Sequence, residues 1–284
     1  MMKLFDGKKA AGKILKELAA NIKKEKLRPG LAVILVGDDS SSKLYVKLKK
    51  EAAAKVGINF ESYVFDSQAK EEEIIGRIKE LNENKNISGI IVQLPLPAVF
   101  NTDKIIEAID PAKDVDGFHK ENLKLLEKGK ENLVPVLPSA ILAALSAATS
   151  NKLAGQEIFA LVNSEFFGRA LKIILERGGA KINYLVRNTC VVFGSEKEIK
   201  SADVIISVCG CPQMIKGEMI KDGAILIDAG ITHYHDGKVM GDVDRQSVEK
   251  KAAFMTPASG GIGPLTVALL LRNVYLATKG LVRK

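Results

Sequence analysis

Short continuous apolar runs alternate along the chain with longer stretches in which Leu, Ile, Val and Ala recur every three or four residues. The first pattern suits strands buried on both faces of a parallel sheet, and the second suits the helices that cover them. The sequence therefore predicts an α/β protein. In the first half, strands are expected at 31–36 (LAVILV), 60–65 and 89–94 (GIIVQL), separated by helices over about 41–56 and 71–84. Gly57 stands just beyond the first of these helices, where a left-handed cap ends a helix without a Cβ clash. In the second half, 158–162, 182–186, 204–208 and 224–228 read as strands, with a helix near 167–177 between the first two.

The rhythm breaks at 110–138, where DPAKDVDGFHKENLKLLEKGKENLVPVLP carries Asp and Pro turn signals around a charged stretch. The crossing between two domains is placed there. In the closing segment SGGIGPLTVALLLRNVYLATK, glycines and Pro264 precede an apolar helix from about Leu265, which is expected to return the chain to the first lobe. No repeat of fixed period and no low-complexity tract interrupts this plan.

Composition narrows the function classes. At the usual ~100–200 residues per domain, 284 residues suit two lobes. With 46% apolar and 27% charged residues the chain is an ordinary globular one. The apolar runs fall far below the ~18–20 residues that cross a bilayer. MMKLFDGKKAAGK lacks the apolar core of a secretory signal, so a cytoplasmic protein without a membrane partner is expected. Three cysteines in so long a chain argue against a disulfide. The excess of 42 basic over 34 acidic residues, a charge of +8, fits nucleic acid, a membrane surface or an anionic small molecule. Lys-rich segments alternate with Leu, Ile and Ala at helical spacing, which is also the pattern of solvated helix faces. With no Trp and 5% aromatics, a base-stacking platform is poorly supplied. A non-catalytic basic module that binds nucleic acid stays as the remote reading, and no nucleic-acid partner is expected.

Several residues are placed to carry chemistry. Tyr45 and Lys49 lie four apart on the helix after the first strand, at the carboxyl end where open α/β sheets hold ligands. They either point into a crevice or belong to an exposed face with Lys43, Lys47 and Lys50. Gln93 precedes Leu-Pro-Leu-Pro, and its carboxamide either caps its own turn or faces a ligand. Asp114 and Asp116 in KDVDG either form a turn or hold a cationic or amidine-like group. After Val162, Asn163-Ser164-Glu165-Phe166-Phe167-Gly168-Arg169 offers one glycine where dinucleotide turns have three. Cys209, Cys211, His233 and His235 form two i, i+2 pairs; zinc sites prefer C-x-x-C spacing, so no metal is expected.

Taken together, LAVILVGDDSSSKLYVKLKKEAAAKVGI, GIIVQLPLP, PAKDVDGFH, CGCPQMIKGEMIKDGAILIDAGI, GKVMGDV and TPASGGIGPLTVALLL resemble, in one consistent order, the bifunctional methylenetetrahydrofolate dehydrogenase/cyclohydrolase family, known in bacteria as FolD. The resemblance implies a folate-binding α/β lobe at 1–134 completed by the carboxyl-terminal helix at 262–284, a Rossmann-like nucleotide lobe at 135–261, and a homodimer. It implies oxidation of methylenetetrahydrofolate with NADP and hydrolysis of the methenyl product to formyltetrahydrofolate, in one-carbon metabolism. Lys49 matches the catalytic lysine, with Tyr45, Gln93 and Asp116 around it. Folate contacts are implied for Tyr45, Asp116, Gly260, Gly261 and Pro264, and nucleotide contacts for Asn163, Ser164, Gly168, Arg187, Gly210 and Ile231.

The nucleotide side departs from the family's pattern. Its GRSxxVGxP turn is Asn163 to Ala170 here, keeping only Ser164 and Gly168; HSRT becomes Val186-Arg187-Asn188-Thr189, and Arg187 offers the replacement charge. PCTP reads Pro135-Val136-Leu137-Pro138, and TPVPGG reads Thr256-Pro257-Ala258-Ser259-Gly260-Gly261. Glu165 and the Phe166-Phe167 pair would crowd a pyrophosphate. The alternative is therefore a cyclohydrolase whose dehydrogenase step is weak, lost or shifted to NAD.

Overall fold

A computed structural model describes residues 2–187, 189–190, 194–233 and 238–282. In chain order the elements are β1 (Lys3–Leu4), α1 (Gly7–Glu25), β2 (Gly30–Val36), α2 (Ser40–Val56), β3 (Asn59–Phe65), α3 (Glu71–Glu83), β4 (Gly89–Val92), α4 (Thr102–Glu107), α5 (Lys120–Glu127) and α6 (Val136–Thr149). There follow β5 (Glu157–Val162), α7 (Glu165–Arg177), β6 (Lys181–Val186), α8 (Glu196–Ser201), β7 (Val204–Val208), β8 (Ile225–Asp228), β9 (Ile231–His233), β10 (Val239–Gly241), α9 (Arg245–Val248), β11 (Phe254–Met255) and α10 (Ile262–Val282). They form two units, Ala11–Val136 with Val267–Lys284 and Met1–Ala10 with Leu137–Thr266. We call these the first and second unit.

The first unit is built on the parallel sheet β3-β2-β4. Every residue of β2 is buried, as expected of a strand covered on both faces. Ile34 and Ile90 pack with Ile74, Ile78 and Ile105 from α3 and α4. α2 starts where Asp39 accepts a hydrogen bond from the Ser42 backbone at 2.7 Å and stops at Gly57, whose φ of +82° suits a residue without Cβ. β4 ends at Val92 rather than at residue 94. Gln93 N–H still donates to the Ile34 carbonyl at 2.8 Å, but Pro95 and Pro97 have no N–H to continue the ladder.

The segment 110–138 is more ordered than its turn signals suggest, and it contains α5. Its first part lies alongside β4, with Ile90 N–H donating to the Lys113 carbonyl at 2.8 Å. Gly89 permits this approach, since a Cβ there would meet a Val115 methyl at 2.6 Å. Two polar side chains hold the segment. Buried Lys113 donates to the carbonyls of Leu81, Asn82 and Asn84 at 3.0, 2.6 and 2.9 Å, occupying acceptors at the end of α3. Asn273, on α10 and 2% exposed, donates to the Val115 and Val134 carbonyls at 2.9 Å each.

The second unit carries a six-stranded sheet in the order β1-β11-β8-β7-β5-β6, parallel throughout. From β5 the chain moves to β6 on one side and then to β7 on the other. The strand order therefore reverses at β5, which is the topological switch point of a doubly wound fold. The stretch up to Ala10 groups with this unit: Lys3 and Leu4 pair with Phe254 and Met255, too short a strand to leave a periodic signal. Residues 262–266, with Pro264, also group with this unit, although α10 continues into the other.

The expectation of no disulfide is overturned. Cys190 and Cys211 are bonded, while Cys209 is free. The count of cysteines carried no sign that loops 21 residues apart converge in space. Among the described residues, no helix is long and apolar enough to cross a membrane.

Replacing Asn273 with Leu should strand two buried carbonyls and lower stability by about 2–4 kcal/mol. Urea unfolding of the first unit's spectroscopic signal checks this, and a shift under ~0.5 kcal/mol would show that Asn273 does not pin the 110–138 segment.

Candidate active site

Gly37, at a φ of +82°, turns the chain out of β2, and the Asp39 cap sets the first turn of α2. This phasing puts Tyr45 and Lys49 on one face, both partly buried, while Lys43, Lys47 and Lys50 are exposed. The reading of Lys49 as one more solvated lysine is thereby excluded. Its Nζ donates to Gln93 Oε1 at 2.6 Å. Gln93 also caps its own turn, since its Nε2 donates to the Leu94 carbonyl at 2.7 Å.

The two aspartates differ in their surroundings. Asp114 is buried and makes the turn: it accepts from Gly117 N–H at 3.1 Å, His119 N–H at 2.7 Å and Asn122 Nδ2 at 2.9 Å. Gly117 has a φ of +83°, and a Cβ there would meet the Pro135 backbone at 2.9 Å. Asp116 is anchored through its backbone, whose carbonyl accepts from Val136 N–H at 3.1 Å. Its carboxylate interacts electrostatically with Lys49.

Burial governs the protonation of this group. Desolvation pushes the Lys49 pKa down, and the neighbouring Asp116 charge opposes that shift without cancelling it. Desolvation, then the Asp114 charge, raises Asp116 to about 6 against the pull of Lys49. Burial also raises the Tyr45 phenol, keeping it neutral. An amine biased toward its neutral form thus stands beside a carboxylate, a carboxamide and a neutral phenol. Such an amine gives up its proton more readily than a solvated lysine and can take part in proton transfer. Sequence reasoning missed Lys113, Asn122 and Asn273, which position the group. Their only trace was their place in segments rich in turn residues or apolar side chains.

The candidate nucleotide residues lie along the carboxyl edge of the second unit's sheet. Asn163 is exposed in the turn after β5, and Ser164 caps α7, its Oγ accepting from Phe167 N–H at 3.3 Å. Gly168 is required by packing: a Cβ would meet the Tyr184 ring at 2.5 Å, so it does the work of the last glycine in a dinucleotide turn. Phe167 is buried in the core, and only Phe166, 45% exposed, remains near the turn to crowd a ligand. The Tyr184 hydroxyl donates to Glu165 at 2.5 Å, and that carboxylate raises the phenol to about 12. Arg187 follows β6, its N–H donating to the Val162 carbonyl at 2.7 Å, and its charge is near enough to lower the Cys209 thiol against a larger opposing effect of burial. Gly210 has a φ of +68°, and its carbonyl accepts from Thr232 Oγ1 at 3.1 Å, beside Ile231 in β9.

A buried carboxylate pair that the sequence reading passed over fixes this edge. Asp242 accepts from Ser207 Oγ at 2.6 Å and from the N–H groups of Cys209 and Cys211 at 2.8 and 2.6 Å. Asp228 accepts from the N–H groups of Asp242 and Val243 at 3.1 and 3.0 Å, and burial raises it to about 7. Gly230 and Gly241 make room, since a Cβ at either would lie 2.0 Å from one of these carboxylates. The glycines after DA and before DV were the available signal. The switch point, the capped α7 and the cation of Arg187 suit a dinucleotide, although Glu165 stands in the first turn of the helix.

Gly260 and Gly261 meet the start of α1. Gly7 N–H donates to the Gly260 carbonyl at 2.9 Å, and Gly261 has no space for a Cβ, which would sit 2.2 Å from the Pro257 carbonyl. Pro264 lies in the first turn of α10. The zinc alternative loses Cys211 to the disulfide, and His235 and Asn188 lie outside the described residues.

Comparison with known proteins agrees with both units. A sequence model of the tetrahydrofolate dehydrogenase/cyclohydrolase catalytic domain matches residues 5–116, and one of the same family's NAD(P)-binding domain matches 135–281. The chain is 39% identical over 286 aligned positions to the bifunctional protein FolD of Nautilia profundicola, covering 100% of this chain and 99% of that one. It superposes on the FolD methylenetetrahydrofolate dehydrogenase/cyclohydrolase of Campylobacter jejuni with a TM-score of 0.89 at 36% identity, covering 99% of each chain. The Trypanosoma brucei enzyme, solved with NADP and an inhibitor, gives a TM-score of 0.91 at 29% identity, covering 100% of this chain and 99% of that one. The chain belongs to the tetrahydrofolate dehydrogenase/cyclohydrolase family, with the family's catalytic and NAD(P)-binding domains both present.

Proposed function

We propose that this chain oxidises 5,10-methylenetetrahydrofolate with NADP and hydrolyses the 5,10-methenyl product to 10-formyltetrahydrofolate. The observation that carries the proposal is the partly buried Lys49 amine, held at 2.6 Å by Gln93 and coupled to Asp116. The Asp116 carboxylate offers two acceptors for the amino group and ring N–H of the pterin, and Tyr45 offers a neutral ring face. Water adds to the methenyl carbon while the neutral Lys49 amine takes the proton it releases. The resulting ammonium returns a proton to the departing ring nitrogen as its bond to carbon breaks, the adduct's hydroxyl proton passes to solvent, and the formyl group is left on the other nitrogen. Gln93 keeps the amine aimed through both transfers.

NADP is the cofactor of this reading, with Asn163, Ser164, Arg187, Gly210 and Ile231 lining its turn and Gly168 packing α7 beneath it. When bound, it supplies the electron acceptor for the first reaction. A second reading, favoured by the Glu165 carboxylate in the first turn of α7, is a cyclohydrolase whose dehydrogenase step is weak or shifted to NAD. Paired turnover assays with NADP and NAD separate the two, because NADP-linked oxidation at the rate of hydrolysis removes the second reading. We place the chain in the cytoplasm and read it as a homodimer. β3 supports the dimer: it is an edge strand of the three-stranded sheet, and Val64 on it is 64% exposed. Sedimentation should give twice the chain mass, and Val64→Lys should shift it toward the monomer; an unchanged profile would remove β3 from the interface.

Lys49→Met should lower methenyltetrahydrofolate hydrolysis at least ~100-fold, and Lys49→Arg should do the same although it keeps the charge, because a guanidinium does not release its proton. Near-normal hydrolysis by the Arg variant would deny Lys49 its proton-transfer role.

Asp116 also sets a pH dependence. Its ordinary pKa is 3.8 and its folded value about 6, so between these the unfolded chain has lost a proton that the folded chain retains. Stability then falls as pH rises through that window, by roughly 1–2 kcal/mol after solvent screening. Asp116→Asn should therefore melt no lower than the parent at pH 7 and show a shallower fall between pH 4 and 6. Its KM for methenyltetrahydrofolate should rise about tenfold or more, the loss of one charged hydrogen-bonding partner. A parental melting profile across that window would contradict the assignment.

A further inference from the structure

The first turn of α7 carries an acid whose side chain is held in place. An acid there commonly offsets the helix dipole, and for that purpose it needs no fixed side-chain position. Glu165 has one. The Tyr184 hydroxyl, from β6, donates to Glu165 Oε1 at 2.5 Å. The Tyr184 ring lies against α7, since a Cβ on Gly168 would meet it at 2.5 Å. The bond to Glu165 is the largest influence on the phenol, which is raised to about 12, while Arg169, one turn further along α7, opposes this weakly. A phenol that keeps its proton thus ties the carboxylate to the β6 side of the turn.

That side has a meaning in this topology. β5 and β6 pair up to their carboxyl ends, Val162 opposite Val186, and the chain leaves β5 through Asn163 and Ser164 into α7. In doubly wound folds the pyrophosphate sits at this helix start and the adenosine ribose lies toward the end of the next strand. There an acidic side chain accepts the ribose 2′-hydroxyl, or a cation takes a 2′-phosphate. The sequence after β6, Arg187-Asn188-Thr189-Cys190, holds no acid. The charge of Arg187 acts on Cys209, at the end of β7 on the far side of β5. The acid comes from α7 instead, and Tyr184 draws it to the β6 side.

We propose that Glu165, positioned by Tyr184, sets the cofactor preference of this chain: its carboxylate accepts the ribose 2′-hydroxyl of NAD and opposes the 2′-phosphate of NADP. One carboxylate oxygen receives the phenol, and the second is an acceptor for the ribose hydroxyl. A 2′-phosphate takes the place of that hydroxyl's hydrogen, so it removes the donor and brings a like charge. NADP then binds against Glu165 and NAD with its help. Tyr184 touches no nucleotide in this assignment and acts through Glu165. The inference rests on the proposed dehydrogenase reading of the second unit and names the residue that tunes its cofactor.

Calorimetric titration of the full chain with NAD and with NADP, at low ionic strength, tests this without turnover. Glu165→Gln keeps an acceptor for Tyr184 and removes the charge. It should bind NADP at least ~tenfold more tightly than the parent, a difference of about 1.4 kcal/mol, and NAD no more tightly. Added salt should narrow the gap between parent and variant for NADP, because it screens the charge. Tyr184→Phe keeps the ring against Gly168 and frees the carboxylate, so it should shift the NADP-to-NAD ratio of Kd values the same way by a smaller factor. A parental ratio in Glu165→Gln, whether both Kd values stand still or move together, would overturn the proposal and leave the proposed function standing. Absence of NAD and NADP binding in the parent and both variants, with parental hydrolysis of methenyltetrahydrofolate intact, would remove the dehydrogenase reading and the proposal with it.

Discussion

A primary amine drawn out of water loses part of its preference for the charged form, and the first unit depends on that effect at Lys49. Its burial on α2 would be costly without partners. Gln93 supplies a hydrogen bond and Asp116 a countercharge, but neither restores the affinity for a proton that water provides. The carboxylate pays a matching penalty, since the same burial lifts Asp116 to about 6. Such opposed shifts place both groups nearer to the range where protons move at physiological pH.

Holding two strained ionisations together demands rigid loops, and both units solve this with a buried carboxylate that gathers backbone N–H groups. Asp114 collects donors from Gly117, His119 and Asn122 and so presents Asp116 beside α2. Asp242 collects donors from Ser207, Cys209 and Cys211 and fixes the loop after β7. In each case glycines make the space, at Gly89 and Gly117 in the first unit and at Gly230 and Gly241 in the second. Lys113 and Asn273 extend the first of these knots to α3 and α10.

The long buried strands were legible in the sequence because burial on both faces demands an unbroken apolar run: β2, β5 and β7 lie within a residue of their expected starts, and β8 begins at Ile225. β1 and β11, two residues each, have no period to read, although their pairing ties the first residues to the second unit. α5 was hidden by its charged sequence between turn residues. Lys49, Gln93 and Asp116 were found through motif resemblance and position at strand ends, while spacing alone left their roles open. The disulfide and the Asp242 knot were out of reach, because both join segments whose adjacency follows from the strand order. Gly168 was read as a nucleotide contact, whereas its lack of a side chain is first a condition for packing α7 against Tyr184.

The state of the Lys49 amine is the point on which the account stands. Heteronuclear NMR of the full chain with isotopically labelled lysine, assigned by loss of one resonance in Lys49→Arg, would follow that amine through a pH titration. The account predicts a midpoint below the ordinary 10.5, and a still lower one when Asp116 is replaced by Asn and its countercharge is removed. A midpoint at or above the ordinary value, unmoved by that replacement, would contradict it.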